Sequence, residues 1–273
     1  MGLRVNSNIS SINAQRNLIG TTDRLQKSLQ RLSSGLRITR AADDAAGLAI
    51  SEEFRADIRS LQQAQRNAND GISMLQIAEG ALNETSTTLI RARELAIQAA
   101  NGTLGQTERD TLNLEFQGLM AEISRIAAIT EFNGTRVLQS GAAMTFQIGI
   151  GNTTNDRFTV SAVNAGASAI GLGATSVSSA SGALASLGLL DSAVSQIATL
   201  RATFGTAQNR LESTIRSLGT AVENTAAAES RIRDVDFAQE MAELTRNQVL
   251  QQAGISVLAQ ANISTQSALA LLQ

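Results

Sequence analysis

The reactive side chains of this 273-residue chain are a short set: His, Cys and Tyr are absent, and lysine occurs once, at Lys27. Cys- or His-based nucleophile pairs, Schiff-base relays and histidine–zinc sites are thereby removed or disfavoured. What remains is carboxylate chemistry. Asp43 and Asp44 offer oxygen to a metal, and Asn152, Asn155 and Asp156 offer it to calcium. Local backbone needs explain both groups better. After Ala41-Ala42, a carboxylate at the start of a helix caps free N–H groups and meets the positive end of the helix dipole. Asn and Asp between two strands are turn formers. A pair of carboxylates acting on sugars calls for aromatic platforms, and seven Phe with no Trp or Tyr supply few. Neither a Walker loop nor a dinucleotide-binding glycine fingerprint is present. The reading is a protein that is not an enzyme and uses no metal or cofactor.

The elements behind these residues are helices. From Phe54 a 4/3 apolar spacing runs through Leu61, Ala64, Ala68, Leu75, Ala78, Leu82, Thr85, Leu89, Ala92, Ala96 and Ala99. It returns as Ile197, Leu200, Phe204, Ala207, Leu211, Thr214, Leu218, Ala221, Thr225, Ala228 and Ile232. No proline interrupts either run. Stripes of that length need partner helices, so the two chain halves are expected to pair. A shorter stripe, Leu18, Thr22, Leu25, Leu29, Leu32 and Leu36, precedes a stop near Gly35. A long helix is expected to end at Asn101-Gly102. Thr107 to Asp110 reads as a capping box ahead of Leu112, Phe116, Leu119, Ile123 and Ile126, a helix folding back along its predecessor. Asn133-Gly134 marks a turn. Then the period becomes two: Phe146, Ile148 and Ile150, and Phe158, Val160 and Ala162, joined through Gly151 to Asp156. Residues 164–182, rich in Ala, Gly, Ser and Thr, read as an exposed link before a helix from about Leu184. A last helix places Leu250, Ala253, Val257 and Ala261 on one face and ends in Leu269, Leu271 and Leu272.

The predicted fold is therefore mainly α, a long antiparallel helical bundle or coiled-coil rod formed by both chain halves, with a small β-hairpin region in the middle. Residues 1–42 and 233–273 form terminal helices, 43–140 and 184–232 a helical body, and 141–183 the hairpin and surface link. A formal net charge of -2 with scattered arginines gives no stripe for nucleic acid. The polar amino terminus lacks the apolar run of a cleavable signal, Asn6 breaks the myristoylation pattern, and no stretch is expected to cross a membrane.

One segment is more specific than any of these: Arg31-Leu32-Ser33-Ser34-Gly35-Leu36-Arg37-Ile38, followed by Ala41-Ala42-Asp43-Asp44-Ala45-Ala46-Gly47-Leu48-Ala49-Ile50-Ser51. It resembles the amino-terminal signature of bacterial flagellins. The resemblance continues at Asn13 to Leu18, Arg93 to Asn101, Phe132 to Thr135 and Glu229 to Ala238, so it spans roughly the first half and last third of the chain.

That resemblance implies a short flagellin, without large outer domains, that polymerises noncovalently into the flagellar filament. It implies an inner tube assembled by the terminal helices, through Leu18, Leu25, Leu29, Leu32, Leu36, Leu250, Val257, Leu258, Leu269, Leu271 and Leu272. Its implied partners are other subunits, the flagellar export apparatus and chaperone, and hook-associated and cap proteins. The implied location is extracellular, reached without a cleaved signal. Arg91, Leu95 and Glu115 match positions at which flagellins are recognised by Toll-like receptor 5, on what otherwise reads as a solvated helix face. Thr175 to Ser181 stand as glycosylation candidates on an exposed surface. Hook–filament junction proteins share the Leu32–Ser51 signature and are the nearest rival, followed by a cytosolic coiled-coil scaffold.

Overall fold

A computed structural model describes residues 8–139, 143–161 and 163–270, with side chains described as far as Ile263. The described elements are α1 (Ile9–Ser34), α2 (Ala45–Ala100), α3 (Gln106–Ile129), β1 (Glu131–Phe132), β2 (Thr135–Arg136), β3 (Met144–Gln147), β4 (Arg157–Val160), α4 (Ala180–Arg233) and α5 (Phe237–Ala270). The chain divides into two compact units, one of residues up to Asp57 with those from Asn224 on, the other Ile58–Glu223. The mainly helical expectation holds, with two small antiparallel strand pairs.

In the Ile58–Glu223 unit the long stripes become the core. Ala68, Leu75, Ala78, Leu82, Thr85, Leu89, Ala92, Ala96 and Ala99 of α2 are buried, and so are Ile197, Phe204, Ala207 and Leu211 of α4. α2 and α4 run antiparallel: Arg93 Nε meets Asp191 Oδ1 at 2.7 Å, and Gln208 Nε2 donates to Glu79 Oε2 at 3.0 Å. α3 returns along α2 as expected, burying Phe116, Met120, Ile123 and Ala127. The capping box does not form. α3 starts one residue earlier than Thr107, from Gly105 with no side-chain cap. Arg109 instead reaches back to the end of α2, donating to Ala99 O at 3.0 Å and Asn101 O at 2.9 Å, where helix carbonyls lack partners. An 18-residue stretch of α4 has a mean hydropathy of 1.4, enough to cross a membrane by composition. That corrects only the expectation that no apolar stretch is long enough; the apolar stripe of α4 packs in the core.

Asn133 and Gly134 take φ of 48° and 74° and turn β1 into β2, the left-handed pair that a two-residue hairpin requires. β3 and β4 pair with Phe146 opposite Phe158. β3 is shorter than the alternation suggested, ending at Gln147. Between them the Asp156 carboxylate accepts from Thr153 N at 3.0 Å and Thr153 Oγ1 at 2.6 Å, which is turn chemistry and not ion coordination. Ala162 lies outside the described residues.

The low-complexity link is the main correction. Val163, Ala165, Ala167, Ile170, Leu172, Thr175 and Val177 are buried. Asn113 Oδ1 accepts from Ser176 Oγ and Val177 N, both at 3.0 Å, while Gln117 Nε2 donates to Thr175 O at 2.7 Å. Small side chains let this backbone lie directly against α3, so weak periodicity did not mean weak burial. Of the glycosylation candidates, Thr175 is buried, and Ser179 and Ser181 are exposed.

In the other unit α1 and α5 form an antiparallel pair. Asn8 caps α1 by accepting from Ser11 N, and its amide donates to Ala261 O at 2.9 Å. Farther along, Gln251 Nε2 meets Thr22 Oγ1 at 3.4 Å and Arg31 Nη1 meets Glu240 Oε2 at 3.5 Å. Gly35, at φ 72°, ends α1 in the left-handed conformation that glycine adopts freely. There the chain crosses its own far end: Arg37 N donates to Arg233 O at 2.7 Å, and Val235 N to Gly35 O at 3.0 Å. Asp44 Oδ1 accepts from Gly47 N at 2.9 Å and opens α2; Asp236 Oδ1 does the same for α5 with Ala238 N and Gln239 N. Asp43 is held by Thr39 and by Lys27 Nζ at 2.7 Å, and Lys27 keeps its carboxyl well below the usual range.

Candidate assembly surfaces

The α1–α5 seam interleaves leucines with small and polar residues. On α1 it is Ala14, Leu18, Thr21, Leu25, Ser28 and Leu32, at 4/3 spacing; on α5 it is Glu240, Leu244, Asn247, Gln251, Gly254, Leu258 and Ala261. Thr21, Ser28, Glu240 and Asn247 are buried. A Cβ at Gly254 would stand 3.2 Å from Leu18 Cδ1, so the glycine is what lets α1 approach. Seam positions include the predicted Leu18, Leu25, Leu32 and Leu258, each half-buried, and Leu36 sits at the crossing beside Asp234.

Three of the expected assembly residues instead face outward from this pair. Leu29 is 48% exposed, Leu250 45% and Val257 58%, facing outward. Leu18, Leu25, Leu32, Leu244 and Leu258 share the seam with small and polar residues, and other large apolar side chains remain exposed outside it. They are joined there by Ile9, Ile12, Ile19, Phe237, Met241, Val249, Ile255 and Ile263, all exposed. Apolar residues off the leading heptad were the available signal for these. α5 continues through Leu269, whose side chain, like Leu271 and Leu272 entirely, lies outside the described residues. Val5 does too.

On the Ile58–Glu223 unit, Arg91 Nη2 meets Glu115 Oε1 at 2.9 Å and Arg91 Nη1 meets Glu94 Oε2 at 3.0 Å. Glu115 first and Glu94 second hold the guanidinium more firmly charged than usual. Leu95 does not join them. It is 1% exposed, one residue before Ala96 in the helix, and packs with Ala92, Ala99 and Phe116 in the core. Its reading as part of a solvated face is corrected, because the apolar sector of α2 is wider than one stripe. The exposed neighbours are Ile90, Ile97 and Leu114, the last 77% exposed.

Both units carry exposed large apolar side chains. Among the described residues no group of three His, Cys, Asp or Glu could hold a metal. The class is a mainly helical structural protein.

Family comparison specifies the class. Residues 5–143 match the bacterial flagellin N-terminal helical region, and residues 187–272 the bacterial flagellin C-terminal helical region. A flagellin of Halalkalibacterium halodurans is 45% identical over 271 residues, covering 98% of this chain and 99% of that one. Flagellin FlaB2 of Treponema pallidum is 43% identical, with 98% and 99% covered, and a flagellin of Bacillus subtilis 41% identical, with 99% and 100% covered. The crystal structure of Bacillus cereus flagellin superposes with a TM-score of 0.51 at 34% identity, covering 60% of this chain and 94% of that one. The chain belongs to the bacterial flagellin family.

Proposed function

We infer that this protein is a structural subunit of the bacterial flagellar filament, polymerising noncovalently for swimming motility. The observation that carries the reading is the terminal pair: its seam is filled by leucines among small and polar residues, yet Leu29, Leu250 and Val257 stay exposed outside it. A helix pair that leaves large apolar side chains in water gains by adding neighbours, and contacts that do not close into a ring propagate as a helix. Residues 1–42 and 233–273 are assigned to the inner tube, with Leu18, Leu25, Leu29, Leu32, Leu36, Leu250, Val257, Leu258, Leu269, Leu271 and Leu272 in its contacts. Near-complete coverage of curated flagellins supports the filament over a junction role.

Export by the flagellar apparatus without a cleaved signal, and contacts with chaperone, hook-associated and cap proteins, complete the proposal. So does recognition by Toll-like receptor 5 through Arg91 and Glu115, with Leu95 supporting that helix face from beneath. Electron microscopy of concentrated purified protein tests the reading. Long tubes are expected; discrete rods or short caps that fail to elongate refute it.

A further inference from the structure

Between α4 and the β3–β4 hairpin lies a cleft of about 390 Å³. Two guanidinium groups line it. Arg210 is fixed with its Cζ 5.0 Å from the centre of the Phe158 ring. Arg157 is steadied by Asn152, which accepts from Nη2 at 2.7 Å. Neither arginine has a carboxylate within 4 Å among the described residues. Asp156, next to Arg157 in sequence, accepts from Thr153 and attracts Arg157 at longer range without an ion pair. Ser213 and Ser217, one helical turn apart on α4, and the Asn155 amide also face the cleft.

We propose that this cleft binds an oxyanion carried on a hydroxylated body of monosaccharide size, a sugar phosphate or a sugar carboxylate. Guanidinium forks match phosphate and carboxylate oxygens, and an arginine held over an aromatic ring loses little freedom on engaging one. The serine hydroxyls and the asparagine amide both donate and accept, which is what sugar hydroxyls require. The volume suits a compact ligand.

The test is a titration of the ¹⁵N-labelled full-length monomer with glucose 6-phosphate, glucuronate, inorganic phosphate and glucose, each against chloride at equal ionic strength. Saturable shifts centred on the Arg157 and Arg210 side-chain N–H groups and the Ser213 and Ser217 amides are expected for at least one of the first two. The stronger of these identifies the head group as phosphate or carboxylate. Arg157→Gln with Arg210→Gln raises the dissociation constant at least about tenfold, two exposed charge-assisted contacts being lost. Ser217→Phe, which fills the cleft and keeps both arginines, does the same, while Arg125→Gln on α3 does not. Shifts that never saturate, that equal those of chloride, or that survive both cleft variants overturn the site. Inorganic phosphate binding as tightly as glucose 6-phosphate overturns the sugar-sized ligand.

Discussion

Replacing Leu250 and Val257 together by Gln isolates the outward face of α5 from its inward one. Gln is a good helix former, and neither position lies in the seam, so the isolated subunit loses about 0.5 kcal/mol or less. Assembly is a different matter. Fully burying a Leu or Val side chain is worth about 1.5–3 kcal/mol. Leu250 retains 45% of its exposure and Val257 58%. Filament contacts that cover both therefore gain about 0.7–1.4 and 0.9–1.7 kcal/mol respectively. Their sum, about 1.6–3 kcal/mol, raises the critical concentration for polymerisation roughly 10- to 150-fold at 1.4 kcal/mol per decade. Sedimentation of filaments over a concentration series measures it, with thermal melting of the monomer by circular dichroism as the control. A critical concentration within about threefold of the parent, with an unchanged melt, would show that neighbouring subunits do not cover this face.

Four other outcomes are expected. Leu95→Ala, which empties a core position, destabilises by about 2–5 kcal/mol in denaturant titration, and Arg91→Ala on the exposed face by far less; equal effects contradict the burial of Leu95. Ile170→Ser with Leu172→Ser costs several kcal/mol, of order 2 per site, if residues 163–177 are packed, and almost nothing if they are a loose link. At Gly47 a Cβ would stand 2.8 Å from Ile38 Cδ1 and 2.5 Å from Asp44 Oδ2, so Gly47→Ala should speed proteolysis around the Gly35–Asp44 segment, whereas Gly80→Ala, with nothing within 4 Å, should not. Because Lys27 depresses the Asp43 carboxyl in the folded state, that pair stabilises fully above the unfolded pKa of about 4 and is lost as pH falls below it. Asp43→Asn should therefore flatten the acid limb of a stability profile between about pH 5 and 2.

The long stripes of α2 and α4 were legible because burial on those helices follows the heptad closely, and Leu61, Leu75, Leu82, Leu89, Ile197, Phe204 and Leu211 all lie inside. Punctuation was legible too: Gly35, Asp44 and Asn133-Gly134 act where their chemistry requires. The terminal seam was legible in part: Leu18, Leu25, Leu32 and Leu258 lie in it, and Leu29, Leu250 and Val257 do not. Hydrophobicity passed over Ser28 and Gly254, where a small residue faces the partner helix. The same preference hid residues 163–177, where Ala and Val reach the core without a helical or strand period. Leu95 was misplaced because its charged neighbours Arg93 and Glu94 disguise a buried position.

The pairing of α1 with α5 sets a clock on folding. The contact from Asn8 to Ala261 spans 253 residues of sequence. A contact of that separation closes a very large loop and ranks among the slowest kinds to form. A chain produced from its amino terminus at about 5–20 residues per second therefore keeps α1 waiting roughly 12–50 seconds for its partner. During that interval its one-sided helix is too short in apolar surface to hold shape alone, and the last segment to appear is the one that completes the first.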